Sequence, residues 1–167
     1  MPTTDVLHEA ERRIFQQVID TVNSKDPPQP VSMGFENWWA AQRSDIRADF
    51  EYLATHGRLS AEAAQWTTDM FKDHVVVEPL ITFKGGRAHI TYIPRFKNLE
   101  GSVAYVLLRL SQVDDVSFGV CRKCGDLWFD DRKGKGRKRE GFCSDAHRLA
   151  FTQAVYRKNA AKAARHK

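Results

Sequence analysis

Residues 121–147 read CRKCGDLWFDDRKGKGRKREGFCSDAH, and four of these residues decide the fold of the C-terminal part of the chain. Cys121 and Cys124 form a C-x-x-C pair. After an 18-residue gap come Cys143 and, four positions on, His147. A C-x-x-C turn sets two thiolates on one side of a tight knuckle, where they can grip one zinc ion. Cys143 and His147 share a face if a helix begins at about 144. Ser144 and Asp145 suit that start, the first as a cap and the second as a negative charge at the helix N-terminus. Cys121, Cys124, Cys143 and His147 are therefore the expected ligands of one tetrahedral site. Four protein ligands leave no position open for water, so one structural zinc is expected rather than a catalytic one. A redox C-x-x-C would want a βαβ setting, which the flanking sequence lacks.

Charge is concentrated around the same segment. The 167 residues hold 26 Lys and Arg against 21 Asp and Glu, a formal +5. Residues 121–167 hold 14 basic and 5 acidic residues, a balance of +9, and residues 1–120 hold 12 and 16, a balance of −4. Six of the eight residues at 132–139 are basic: Arg132, Lys133, Lys135, Arg137, Lys138 and Arg139. Their mutual repulsion keeps such a loop solvated until a polyanion neutralises it, and phosphates do so with release of counterions. Asp130 and Asp131 read as balancing this loop rather than as a metal-binding pair. A nuclear-localisation patch is the rival reading of the basic run.

A helix following Cys143 would carry His147, Ala150, Phe151, Ala154 and Val155 on one side, expected to pack on the finger. From Arg157 onward the pattern fails, because Lys158, Lys162 and Arg165 take over the apolar sector. The last turns are thus expected to extend into solvent or along nucleic acid. A helix fits the major groove of double-stranded DNA, which makes Arg148, Arg157 and Lys158 candidate contacts beside the basic loop. A solvated tail, or a surface for RNA or protein, are the alternatives.

The run from the cysteine pair through Leu127-Trp128-Phe129-Asp130-Asp131 and the basic loop to Phe142-Cys143-Ser144 and His147-Arg148 resembles a bacterial treble-clef zinc finger. It is similar in particular to the CGNR zinc-finger proteins, which carry such a finger behind an α+β domain and are considered stress-responsive transcriptional regulators. Two features differ from that family. The fourth ligand is His147 rather than cysteine, and Arg148-Leu149-Ala150 stands in place of the Gly-Asn-Arg signature. The resemblance implies a bacterial, DNA-binding transcriptional regulator, with Leu127–Phe129 as a strand, Lys133–Lys138 as the hairpin tip and Glu140–Phe142 as its return. Trp128 and Phe129 should face opposite ways, one of them covering the metal.

The N-terminal part reads as mostly helical with one β-hairpin. Val6, Leu7, Ala10, Ile14, Val18 and Val22 recur at helical spacing over 5–23, with Thr4 as cap. A second helix is expected over 35–55, burying Trp38, Trp39, Ile46, Phe50 and Leu53 and ending at Gly57. Ser60 caps a third that ends near Asp73. Gly85-Gly86 between Leu80–Lys84 and Arg87–Ile93 marks a hairpin pairing Phe83 with Ala88, Ile81 with Ile90 and Thr82 with His89. His89 reads as an ordinary strand histidine, and Pro94 is expected to end the strand. A fourth helix at about 100–112 carries Val103, Val106, Leu107, Leu110 and Val113, and a linker at 114–119 follows.

The expected class is thus α+β, with an N-terminal domain over 1–115 and a zinc finger with a long basic helix over 119–167. The first is a candidate for homodimerisation or for a small-molecule ligand, with Trp38, Trp39 and Trp66 lining a pocket or, more commonly for such residues, packing in the core. The odd number of cysteines and the start Met1-Pro2-Thr3-Thr4-Asp5, with neither a basic nor an apolar stretch, point to a reducing, cytoplasmic setting. No run approaches the ~18 apolar residues that span a bilayer. No nucleophile–base pair, Gly-rich phosphate loop or open metal position suggests an enzyme.

Overall fold

Helix α1 (Glu9–Asn23) owes its place to an i, i+3, i+4, i+7 stripe: Phe15, Val18, Ile19 and Val22 are all buried. Helix α2 (Met33–His56) answers with Trp39, Ile46, Phe50 and Leu53, and ends where Gly57 turns to φ 67° and donates its N–H to the Leu53 carbonyl at 2.8 Å. Helix α3 (Ala61–His74) starts at Ser60, whose hydroxyl accepts from the Ala63 N–H at 3.1 Å. Helix α4 (Leu99–Leu110) is capped by Asn98 and buries Val103, Ala104, Tyr105, Val106 and Leu107. These observations come from a computed structural model that describes residues 9–24, 33–112, 116–130 and 141–164. Thr4, Val6, Leu7 and Val113 lie outside the described residues, as do the side chains of Ala10 and Trp38.

The described residues form a mixture of helices and two small antiparallel sheets, as expected for an α+β protein. Trp39 is buried in the main core and Trp66 packs against it. Among the described residues no helix is long and apolar enough to cross a membrane.

The first sheet is the expected hairpin, but longer. Strand β1 (Val75–Lys84) pairs with β2 (Arg87–Phe96) around Gly85 and Gly86, both at positive φ. The register joins Phe83 to Ala88, Ile81 to Ile90 and Thr82 to His89 as the sequence predicts. Pro94 does not end the strand; it pairs with Val77, and β2 runs on to Phe96. Ladder parity gives the reason. Lys97 N–H donates to His74 C=O at 2.9 Å, so every second pair outward exchanges hydrogen bonds and the Val77–Pro94 and Pro79–Tyr92 pairs do not. Both proline nitrogens therefore face the open side of a two-stranded ladder, where no bond is lost.

The second sheet replaces the expected linker. Residues Ser117–Val120 form strand β3, paired with β4 (Leu127–Asp130) across the C-x-x-C turn. Burial explains the strand: Val116, Phe118 and Val120 pack against the core, and the Phe118 ring lies 5.8 Å from that of Phe50. Among the described residues the partner of Leu127–Phe129 is thus the segment before the cysteines. Glu140 is outside the described residues, and Phe142 is buried without joining a strand. Leu127 belongs to the same buried cluster as α1, α2 and α4, and Phe129 meets Phe15 edge-on at 5.6 Å. The hairpin that carries the cysteine pair is therefore seated directly on the helical core.

Candidate metal centre

The knuckle is built by backbone bonds within Cys121–Asp126. Gly125 N–H donates to Cys121 C=O and Cys121 N–H to Asp126 C=O, each at 2.8 Å, with Gly125 at φ 81°. A side chain at that angle would be strained, so glycine suits the turn. Arg122 N–H donates to Gly141 C=O at 2.9 Å and brings the incoming segment of Phe142 and Cys143 alongside. Helix α5 (Asp145–Ala164) then starts as the sequence predicts. Ser144 Oγ accepts from His147 N–H at 3.2 Å, and Asp145 lies in the first turn.

These elements bring Cys121, Cys124, Cys143 and His147 together, with one ligand atom from each and all four within 4.8 Å of one another. Cys124 Sγ lies 3.8 Å from Cys143 Sγ, and Cys121 Sγ lies 3.6 Å from His147 Nδ1. Zinc bonds of ~2.3 Å to sulfur and ~2.0 Å to nitrogen, at tetrahedral angles, require edges of about 3.8 Å between sulfurs and about 3.5 Å from sulfur to nitrogen. Both distances fit. Cys143 Sγ and His147 Nδ1 are closer, 3.0 Å apart, as in a direct thiol–imidazole hydrogen bond. The donor set can hold one metal ion, and three sulfurs with one imidazole suit zinc.

The thiols differ in how readily they ionise. Burial disfavours the Cys121 thiolate, but the backbone N–H groups of Cys124, Cys143 and Lys123 and the His147 side chain outweigh it and hold its pKa down at about 6. Cys124 is pushed up to about 12, mainly by burial, with contributions from Asp126, Cys121 and Cys143. Cys143 is also raised, by burial first and by Cys121 next. One thiol is thus prepared as a thiolate while two keep their protons until a cation replaces them.

Trp128 and Phe129 do face opposite ways. Trp128 clusters with Cys121 and Phe142 and covers the site, while Phe129 enters the helical core. Two polar residues that the sequence reading missed anchor the knuckle to the body. The Asn23 side chain donates Nδ2–H to Leu127 C=O at 2.9 Å and accepts Leu127 N–H on Oδ1 at 2.8 Å. Arg47 donates from Nη2 to Gly125 C=O and pairs with Glu51 at 2.9 Å. Neither carried a signal, since each acts on residues about 80 or more positions away.

The basic loop, Arg132, Lys133, Lys135, Arg137, Lys138 and Arg139, lies outside the described residues. Arg148, next to His147, reaches Asp145 at 3.4 Å. Arg157 and Lys158 lie on an exposed stretch of α5. The expected packing of that helix holds only for its first turns. Phe151 approaches Phe142 with ring centroids 5.4 Å apart, but Ala154 and Val155 are exposed, as is every residue from Phe151 to Lys162. The described residues around the Cys3His cluster are too few to support more than the first two turns of the helix. Comparisons with family models, with curated proteins and with solved structures find no match to this chain.

Proposed function

We propose that the protein is a zinc-stabilised nucleic-acid-binding regulator of bacterial type, with a treble-clef finger like that of the CGNR proteins, whose target is double-stranded DNA. The observation that carries this reading is the placement of the Cys3His cluster at the root of α5. A zinc ion held by Cys121, Cys124, Cys143 and His147 would have no open position, so it would serve as a clamp and not as a Lewis acid. Its role is to fix the direction in which α5 leaves the body.

From Phe151 to Lys162 the helix is exposed on all sides, a length of about 18 Å at 1.5 Å per residue. Its diameter of about 10–12 Å with side chains fits a major groove ~12 Å wide. Arg157 and Lys158 lie on this stretch, Arg148 at its root, and the +9 balance of residues 121–167 supplies the attraction for phosphate. The acidic remainder of the chain disfavours binding along its other faces. The protein acts in this reading by binding rather than by catalysis.

Exposed Leu149, Val155 and Tyr156 on the same helix favour a second reading, a zinc-stabilised module for a protein or RNA partner. Fluorescence anisotropy with random-sequence DNA duplex across a salt series, with and without chelator, tests the two. DNA binding that weakens linearly in log salt and is lost on chelation supports the first. Salt-independent or absent binding refutes it. Selection from random duplexes then separates a regulator from a generic binder.

A further inference from the structure

The β1–β2 hairpin presents an unusual face. Residues that oppose one another in the ladder lie on the same side, and one side reads Val75, Val77, Pro79, Ile81 and Phe83 against Phe96, Pro94, Tyr92, Ile90 and Ala88. All ten are apolar or aromatic. At the base this side is covered: Val75 and Pro94 are buried, and Phe96 meets Tyr105 with centroids 5.4 Å apart. Beyond the base nothing among the described residues covers it. Val77 is 46% exposed, Ile81 57%, Ile90 59%, Tyr92 66% and Phe83 78%, and Pro79 and Ala88 are exposed as well.

We propose that this face is an interface between two copies of the chain, stacked hairpin on hairpin about a two-fold axis near the Ile81–Ile90 pair. Area supports a dimer. At those fractions of exposure the side chains present about 700 Å² of surface, near the ~800 Å² that each partner contributes to a standard interface and above the largest patch of most monomers.

Complementarity points to a second copy. The face carries no charge, so it selects no charged partner, and a two-fold brings the same flat apolar strip onto itself. The five pairs on this face are the non-hydrogen-bonded pairs of the ladder, whose side chains stand closest together. A lone two-stranded hairpin is marginal in water, and two stacked ~10 Å apart make a small sandwich. On the other face Glu78 and Arg95 form an exposed ion pair at 3.0 Å, so that side stays in water. Lys84 and Arg87 flank the turn at the tip, which disfavours insertion of the arm into lipid.

The inference stands apart from the metal and DNA readings. Its test is sedimentation of the full chain as purified, across the micromolar range. We expect a reversible dimer. The exposed pair substituted together, Ile81→Lys with Ile90→Lys, should raise the dimer dissociation constant by about 100-fold or more, with an unchanged circular dichroism spectrum and zinc content. Val76→Lys, on the opposite face, should leave the dimer intact. Hydrogen exchange provides a readout without variants: β1–β2 amides should slow as protein concentration rises. A monomer throughout this range overturns the proposal, whether or not it floats with phosphatidylcholine vesicles. So does a dimer indifferent to the two lysines, or exchange that does not change with concentration.

Discussion

Replacing Asn23 by alanine tests how the hairpin that carries Cys121 and Cys124 is held to the body. Among the described residues strand β4 pairs only with β3, on one side, and Leu127 presents its N–H and C=O to the other. The Asn23 amide takes both, at 2.8 and 2.9 Å, in the manner of a one-residue strand. Leu127 is 2% exposed, so Asn23→Ala leaves a donor and an acceptor poorly hydrated. A buried unpaired polar group costs about 1–3 kcal/mol, so the pair should cost about 3 kcal/mol. For a domain of this size that is a fall of about 6–12 °C in melting temperature. Urea denaturation followed by far-UV circular dichroism reads the loss as a lower midpoint. Asn23→Asp should not restore the loss, because it keeps the acceptor for Leu127 N–H but sets a carboxylate oxygen against Leu127 C=O. A change below ~0.5 kcal/mol for Asn23→Ala would refute the view that the β3–β4 hairpin is fastened by this amide.

Zinc binding at about pH 7.5 should release about two protons, because Cys121, held at about 6, is already ionised while Cys124, at about 12, and Cys143 are not. Calorimetry in buffers of different ionisation enthalpy counts them, and a value near three would mean that the knuckle forms only with metal. In the metal-free chain the lowered Cys121 value contributes stability that is present above the ordinary thiol range and lost as pH falls through 6. Gly101→Ala should destabilise by about 2 kcal/mol: helix propensity gains under ~1 kcal/mol, but the new Cβ meets the His74 carbonyl oxygen at 2.8 Å. Thermal melting decides it, and an increase in stability would contradict the close approach of α4 to the α3–β1 junction. Arg157→Ala with Lys158→Ala should reduce the slope of log affinity against log salt by about 2 in duplex binding, and an unchanged slope would remove α5 from the proposed interface.

The clustering of Cys121, Cys124, Cys143 and His147 was legible because chelation imposes local spacing: a C-x-x-C turn and an i, i+4 pair each determine geometry within a few residues. The Gly85-Gly86 turn likewise determined the hairpin register. Strand β3 was not legible. Four residues, Ser117–Val120, are too few to show a period, and they are held extended by contacts with α2 and by pairing across the knuckle. The Pro94 expectation failed because a proline breaks a ladder only where its nitrogen faces a partner strand.

The misreading of how α5 packs has a general cause. Alternation made one face of β1–β2 apolar, and helical spacing made one side of α5 apolar, but a pattern does not say what lies opposite. On the hairpin beyond its base, and at Ala154 and Val155, nothing among the described residues does. Asn23 had no local signal, since its role depends on an open strand edge 104 positions away.

The central claim is that Cys121, Cys124, Cys143 and His147 hold one metal ion. Native mass spectrometry of the chain purified without chelator, beside Cys143→Ser, tests it most directly. We expect one zinc per chain in the unmodified protein and its loss in the variant. A chain that carries no metal even after refolding with excess zinc would contradict the claim.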